Sequence, residues 1–151
     1  MDQGANVRVL ETEIHIAASP ERVWSVLMDF DSYPDWNPFI RRARGRVEVG
    51  EKLEVVMLPP NGKGMVFRPT VKSVVNHSLF SWLGHLLFPG LFDGEHIFEV
   101  TGNEDGCRLV HKEKFSGLLV PLLWGRLDTD IRAGFNSMNN ALKHRVEGET
   151  Q

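Results

Sequence analysis

The hydrophobic period of the chain changes along its length, and each change marks an element. From Val9 to Ala17, Leu10, Thr12, Ile14 and Ile16 alternate with Glu11, Glu13 and His15. That is the twofold period of a strand with one face in water. Ser19-Pro20-Glu21-Arg22 then reads as a helix start, with Ser19 as N-cap and Pro20 at the first helical position. Arg22 stands where a capping-box Glu would sit, and Val23, Trp24, Val26 and Leu27 supply the apolar stripe. Asp29 to Pro38 holds two prolines, Asn37 and several Asp, so it predicts a short connection with room for one helical turn.

From Phe39 to Ser116 turn signals recur at Val49-Gly50-Glu51, Pro59-Pro60-Asn61-Gly62, Asn76-His77, Pro89-Gly90 and Asn103-Glu104-Asp105-Gly106. The five or six β-rich stretches between them are joined by short turns, which makes neighbours antiparallel. The closing segment switches to helical period: Leu123, Leu127, Ile131, Phe135, Met138, Leu142 and Val146 fall on one stripe. One helix from Leu122 to about Val146 follows, stopping near Gly148, with Leu127, Ile131, Phe135 and Met138 facing a sheet. A sheet with one apolar face must bury it, and this helix is the only element long enough to do so. The predicted architecture is α+β: a curved antiparallel sheet of six or seven strands wrapped around a long C-terminal helix, with one or two short helices after the first strand. A helix about 10 Å wide does not fill a strongly curved sheet, so a ligand cavity between them is expected.

Composition narrows the function classes. The chain of 151 residues has the length of one domain, taken as 1–151 with an ordered core of about 8–147. Its 17 Lys and Arg against 20 Asp and Glu give a charge of −3, which offers no broad positive field for nucleic acid. The lone Cys107 forms no internal disulfide and fits a reducing, cytoplasmic compartment. Met1 to Asn6 lacks the basic start of a signal peptide. The longest apolar run, Leu118 to Trp124, is far shorter than the roughly 18 residues of a membrane span.

Ala18-Ser19-Pro20-Glu21-Arg22-Val23-Trp24 through Leu27, then Asp29-Phe30, Tyr33 and Trp36-Asn37-Pro38-Phe39, resembles the opening of the START/Bet v 1-like (SRPBCC) superfamily, polyketide cyclase/dehydrase branch. Leu91-Phe92-Asp93-Gly94-Glu95-His96-Ile97-Phe98, Glu113-Lys114-Phe115-Ser116-Gly117-Leu118 and Met138-Asn139-Asn140-Ala141-Leu142-Lys143 are similar to that branch in order and spacing. The resemblance spans roughly residues 8 to 147. It implies a helix-grip fold with an apolar pocket between sheet and helix, and no obligatory cofactor.

Strand parity selects candidate pocket residues. Leu109, His111, Glu113 and Phe115 share one face opposite Arg108, Val110, Lys112 and Lys114, while His96, Phe98 and Val100 share a face in the preceding strand. The turn at Asn103 to Gly106 sets His96 nearly opposite Glu113 or His111. Three readings of that cluster stand side by side: a polar network bracing the sheet, an anchor for a ligand's polar group, or a two-histidine, one-carboxylate metal site. No metal ligand is assigned, because the resemblance implies none. Phe67, Trp82, Phe98, Phe115, Phe135 and Met138 complete the expected ligand-binding set with His96, His111 and Glu113.

Arg42, Arg44 and Arg46 share a strand face and read as a solvated surface beside Arg41. The turn Leu86-Leu87-Phe88-Pro89-Gly90-Leu91-Phe92 is too apolar to stand in water. It is expected to meet Gly117 to Trp124 as a pocket mouth, a dimer contact or a patch touching membrane transiently. The chain lacks a phosphate loop, a G-x-S-x-G elbow and a His-Glu-x-x-His pair. The leading expectation is a carrier or sensor of a small hydrophobic molecule (a lipid, a polyketide or another aromatic or isoprenoid-like compound), monomeric or homodimeric. The alternative is a cyclase/dehydratase-like enzyme with His96 or His111 as general acid/base and Glu113 setting its tautomer. A third is an interaction protein using the apolar turn.

Overall fold

The computed structural model describes residues 7–60, 62–86 and 88–148. The signal-peptide reading of Met1 to Asn6, Asn61 of one turn and Leu87 of the apolar turn lie outside the described residues. Strand β1 (Arg8–Ile16) runs where the alternation places it, burying Leu10, Thr12 and Ile16. Helix α1 (Pro20–Met28) starts at Ser19, whose side chain accepts from the Arg22 amide. A 3-10 turn (Phe30–Ser32) and the short helix α2 (Tyr33–Trp36) follow. Asn37 closes this segment, its buried Oδ1 accepting from the Phe39 and Ile40 amides at 3.0 and 2.9 Å. Phe39 then lies against Gly134, where a Cβ would collide with its ring, so the sequence before the sheet is pinned to the C-terminal helix.

The remaining strands are β2 (Ile40–Arg44), β3 (Glu54–Met57), β4 (Met65–Phe67), β5 (Thr70–Val75), β6 (Leu79–His85), β7 (Asp93–Asn103) and β8 (Gly106–Ser116). They form a five-stranded sheet in the order β1-β8-β7-β6-β5 and a three-stranded sheet in the order β2-β3-β4, with every pairing antiparallel. The expected single sheet of six or seven strands is thus eight strands in two sheets among the described residues. Pro69 explains the break: it has no N–H for a ladder, and it separates β4 from β5. A bridge between Lys52 and Thr70, with Leu53 N–H donating to Pro69 and Val71 N–H donating to Glu51, still ties the sheets together.

The closing helix is longer than its apolar stripe suggested. It runs as α3 (Val120–Arg126), a π-helical turn (Leu127–Ile131) and α4 (Arg132–Gly148). Successive steps of four residues from Leu123 to Phe135 drift by about 40° each on a 3.6-residue helix. The wider π turn absorbs that drift and keeps Leu127 and Ile131 on the sheet side. Phe135, Met138, Leu142 and Val146 are buried.

Candidate functional site

A cavity of about 190 Å³ opens between the two sheets and the π turn. Met57, Met65 and Phe67 line it from the smaller sheet, and Trp82, Gly94, Glu113 and Phe115 from the larger. Leu123, Leu127 and Ile131 close it from the helix. Its size lies below the ~300–1,000 Å³ of drug-sized sites and just above the ~150 Å³ that holds one benzene.

Of the nine expected ligand-binding residues, Phe67, Trp82, Glu113 and Phe115 line this cavity. His96, Phe98, His111, Phe135 and Met138 do not: they are buried in the packing behind the wall. The reason is aromatic stacking. Trp82 lies over His96 at 4.8 Å between ring centroids, and Phe135 lies flat on His111 at 3.9 Å, so each imidazole is covered by a ring.

The register puts His96 opposite Glu113 and Phe98 opposite His111, and the shared face brings both imidazoles and the carboxyl together. His96 Nε2 and His111 Nε2 are 2.8 Å apart. His96 Nδ1 faces Glu113 Oε1 at 3.4 Å and has no hydrogen-bond partner among the described residues. On the other side His111 Nδ1 meets Asn139 Oδ1 at 2.8 Å, Asn139 Nδ2 donates to Thr12 Oγ1 at 2.9 Å, and Thr12 donates to the His111 carbonyl at 2.8 Å. Five side chains from β1, β7, β8 and α4 therefore form one line that ends at the cavity wall.

Every proton in that line is fixed from its far end. A backbone carbonyl only accepts, so the Thr12 hydroxyl must donate to it and can only accept from Asn139. The amide nitrogen of Asn139 thus points at Thr12 and its oxygen at His111. His111 must carry its proton on Nδ1, which makes its Nε2 an acceptor when neutral, so His96 donates from Nε2. His96 Nδ1 is left with a lone pair directed toward Glu113.

The electrostatics agree. Burial pushes the His96 imidazole down to about 3. His111 lies well below the ordinary imidazole range, through burial first and the facing His96 second, against the opposing bond to Asn139. Burial pushes the Glu113 carboxyl up to about 8, although its side chain keeps 14% exposure toward the cavity. A neutral His111 is what the line of donors requires, and an acid that holds its proton puts a hydrogen opposite the His96 lone pair.

Asn139 and Thr12 were not among the expected site residues. Thr12 gave a signal, being a polar member of the inward set of β1. Asn139 gave a weaker one, since it follows Met138 on the apolar stripe. Met57, Met65, Leu123, Leu127 and Ile131 enter the wall only through the folding of the smaller sheet and helix around the larger sheet.

The metal reading fits poorly: the two Nε2 atoms bond each other directly, and no group of three or more His, Cys, Asp or Glu is placed to hold a metal among the described residues. Cys107 is buried, and burial followed by Glu21 pushes its thiol up, away from reactivity. Arg41 donates to the Asn37 and Pro34 carbonyls, whereas Arg42, Arg44 and Arg46 are exposed. The apolar turn does meet the start of α3: Leu118 and Leu119 N–H groups donate to Gly90 and Leu91. Phe88, Leu118 and Leu122 remain 62%, 74% and 80% exposed beside Leu86, Phe92 and Leu123 of the cavity wall. No helix among the described residues is long and apolar enough to cross a membrane.

Solved structures with the same fold include the di-domain ARO/CYC StfQ from the steffimycin biosynthetic pathway (TM-score 0.80, 14% identity, 99% of this chain and 54% of that one). The Zhui aromatase/cyclase from Streptomyces sp. R1128 is similar over 96% of both chains (TM-score 0.78, 14% identity). A Thermus thermophilus protein is similar over 95% of this chain and 100% of its own (TM-score 0.75, 16% identity). At these identities the likeness speaks for the fold. No curated protein matches the sequence. The family model described as "Polyketide cyclase / dehydrase and lipid transport" matches residues 8–147, the span that holds the eight strands and the cavity. The chain belongs to that polyketide cyclase/dehydrase and lipid transport family.

Proposed function

We propose that the protein binds a small, largely apolar molecule in the cavity between its sheets and the π turn, as a carrier or sensor, with Glu113 as the polar anchor. One observation carries this reading: a mainly apolar wall, with His85 at one side, holds a largely buried carboxyl that faces the end of a hydrogen-bonded line across 3.4 Å. Apolar burial supplies the affinity and the carboxyl the orientation. The volume favours one ring with a short substituent, or the head of a longer molecule.

The enzymatic alternative, with His96 or His111 touching substrate, draws little support from their placement beneath Trp82 and Phe135. Of the three clustered groups only Glu113 reaches the cavity, which reverses their expected roles: the imidazoles set the state of the carboxyl. The test is an NMR titration with ethylbenzene, in wild type and in Leu127→Trp, which fills the helix side of the cavity. Shifts confined to residues around Glu113, Phe115 and Ile131, lost in the variant, are expected. Shifts elsewhere, or unaffected by the variant, overturn the assignment.

A further inference from the structure

Resting on that reading, we propose that the cavity selects its ligand by hydrogen-bond polarity, preferring an uncharged molecule with a hydroxyl donor, a phenol or an alcohol, to an ether, ketone or carboxylate of the same shape. The far end of the buried line sets the rest of it. The His111 carbonyl fixes the Thr12 hydroxyl, which fixes the Asn139 amide, which fixes the tautomers of His111 and then His96. The lone pair so placed on His96 Nδ1 faces Glu113 Oε1 across 3.4 Å.

Two bare lone pairs at that distance, buried together, repel, so one proton belongs between them. Whether it rests on Oε1 or on Nδ1, it is spent on that contact. Oε2 is the oxygen that remains. It lies over Gly94, itself a cavity-lining residue, where a Cβ would collide with it. The glycine therefore keeps this oxygen uncovered by side chain, and what it presents to the cavity is an acceptor in either proton placement.

A ligand hydroxyl donates to Oε2 without disturbing the line. An ether or ketone would have to draw the carboxyl proton round to Oε2, leaving the His96 lone pair opposed by Oε1. A carboxylate placed at Oε2 would bring lone pairs against lone pairs. One buried hydrogen bond made or forfeited corresponds to a preference on the order of tenfold.

The probes are 4-ethylphenol, 4-ethylanisole, ethylbenzene and 4-ethylbenzoate, with dissociation constants taken by NMR titration at a pH one unit below the Glu113 transition. Binding of 4-ethylphenol about tenfold tighter than 4-ethylanisole is expected, with 4-ethylbenzoate weakest. Glu113→Gln should keep the phenol preference, because its amide donates to His96 Nδ1 and turns its carbonyl to the cavity. Glu113→Leu should abolish it while still binding ethylbenzene. Equal wild-type affinities for phenol and anisole overturn the proposal even if neither variant folds, and so does loss of the preference in Glu113→Gln, which would make charge the determinant. Those outcomes leave cavity binding intact. Absence of cavity shifts with all four probes is instead the failure of the binding reading beneath it.

Discussion

Replacing Glu113 by Gln should remove one limb of the pH dependence of stability and leave the other. The unfolded carboxyl titrates near 4.5 and the folded one at about 8. Between those values the folded state holds a proton that the unfolded chain has released, so this contribution is complete below 4.5 and is lost as pH rises through 8. His96 and His111 act oppositely. Below 6.5 the unfolded chain takes up protons that the folded imidazoles refuse, so stability falls as pH drops from 6.5. The limbs meet near pH 6.5.

From there to pH 8 Glu113 alone among the buried groups drives the slope. It faces His96 from β7, Leu10 from β1, and Leu127 and Ile131 across the cavity, whose lining also holds His85 of β6, paired with Asp93 at 2.7 Å. Glu147, lowered by Lys143 and the Ala17 amide, titrates below this window, and Cys107 above it. One proton gives about 1.4 kcal/mol per pH unit, hence a loss of about 2 kcal/mol across the window. Urea unfolding in half-unit steps should show the midpoint falling by roughly 1 M at constant slope in wild type, given about 2 kcal/mol per molar. Glu113→Gln should be flat from 6.5 to 8 and keep the acid limb. Parallel profiles for the two proteins would refute the protonated carboxyl.

Three further outcomes follow from particular contacts. Phe135→Ala strips the ring stacked on His111 and packed against Phe39, and should cost about 3–5 kcal/mol in urea unfolding. Ser19→Ala removes the cap on the Arg22 amide and should cost about 1 kcal/mol, with ligand binding unchanged. Asn139→Leu leaves the His111 Nδ1 proton without its acceptor, so the tautomers of both imidazoles should reverse, read by the nitrogen shifts of the ring Nε2 and Nδ1 atoms; unchanged tautomers would show that Asn139 does not set them.

Local period and local chemistry were legible in the chain before any tertiary contact. The alternation in β1, the Ser19-Pro20 helix start, the inward parity of His96, His111 and Glu113 and the closing helix all follow from side-chain spacing, which a chain carries before it folds. Parity fixes a face but not a depth. That His96 and His111 lie behind the cavity wall while Glu113 lies in it was decided by Trp82 and Phe135, which come from other elements and stack only once sheet and helix have packed. The same holds for the division into two sheets, where Pro69 was visible but its consequence depended on which strands paired. It holds most for the buried line: its direction originates at a backbone carbonyl of β8, is passed through Thr12 of β1 and Asn139 of α4, and so exists only where residues 99 and 127 positions apart are brought within hydrogen-bond distance.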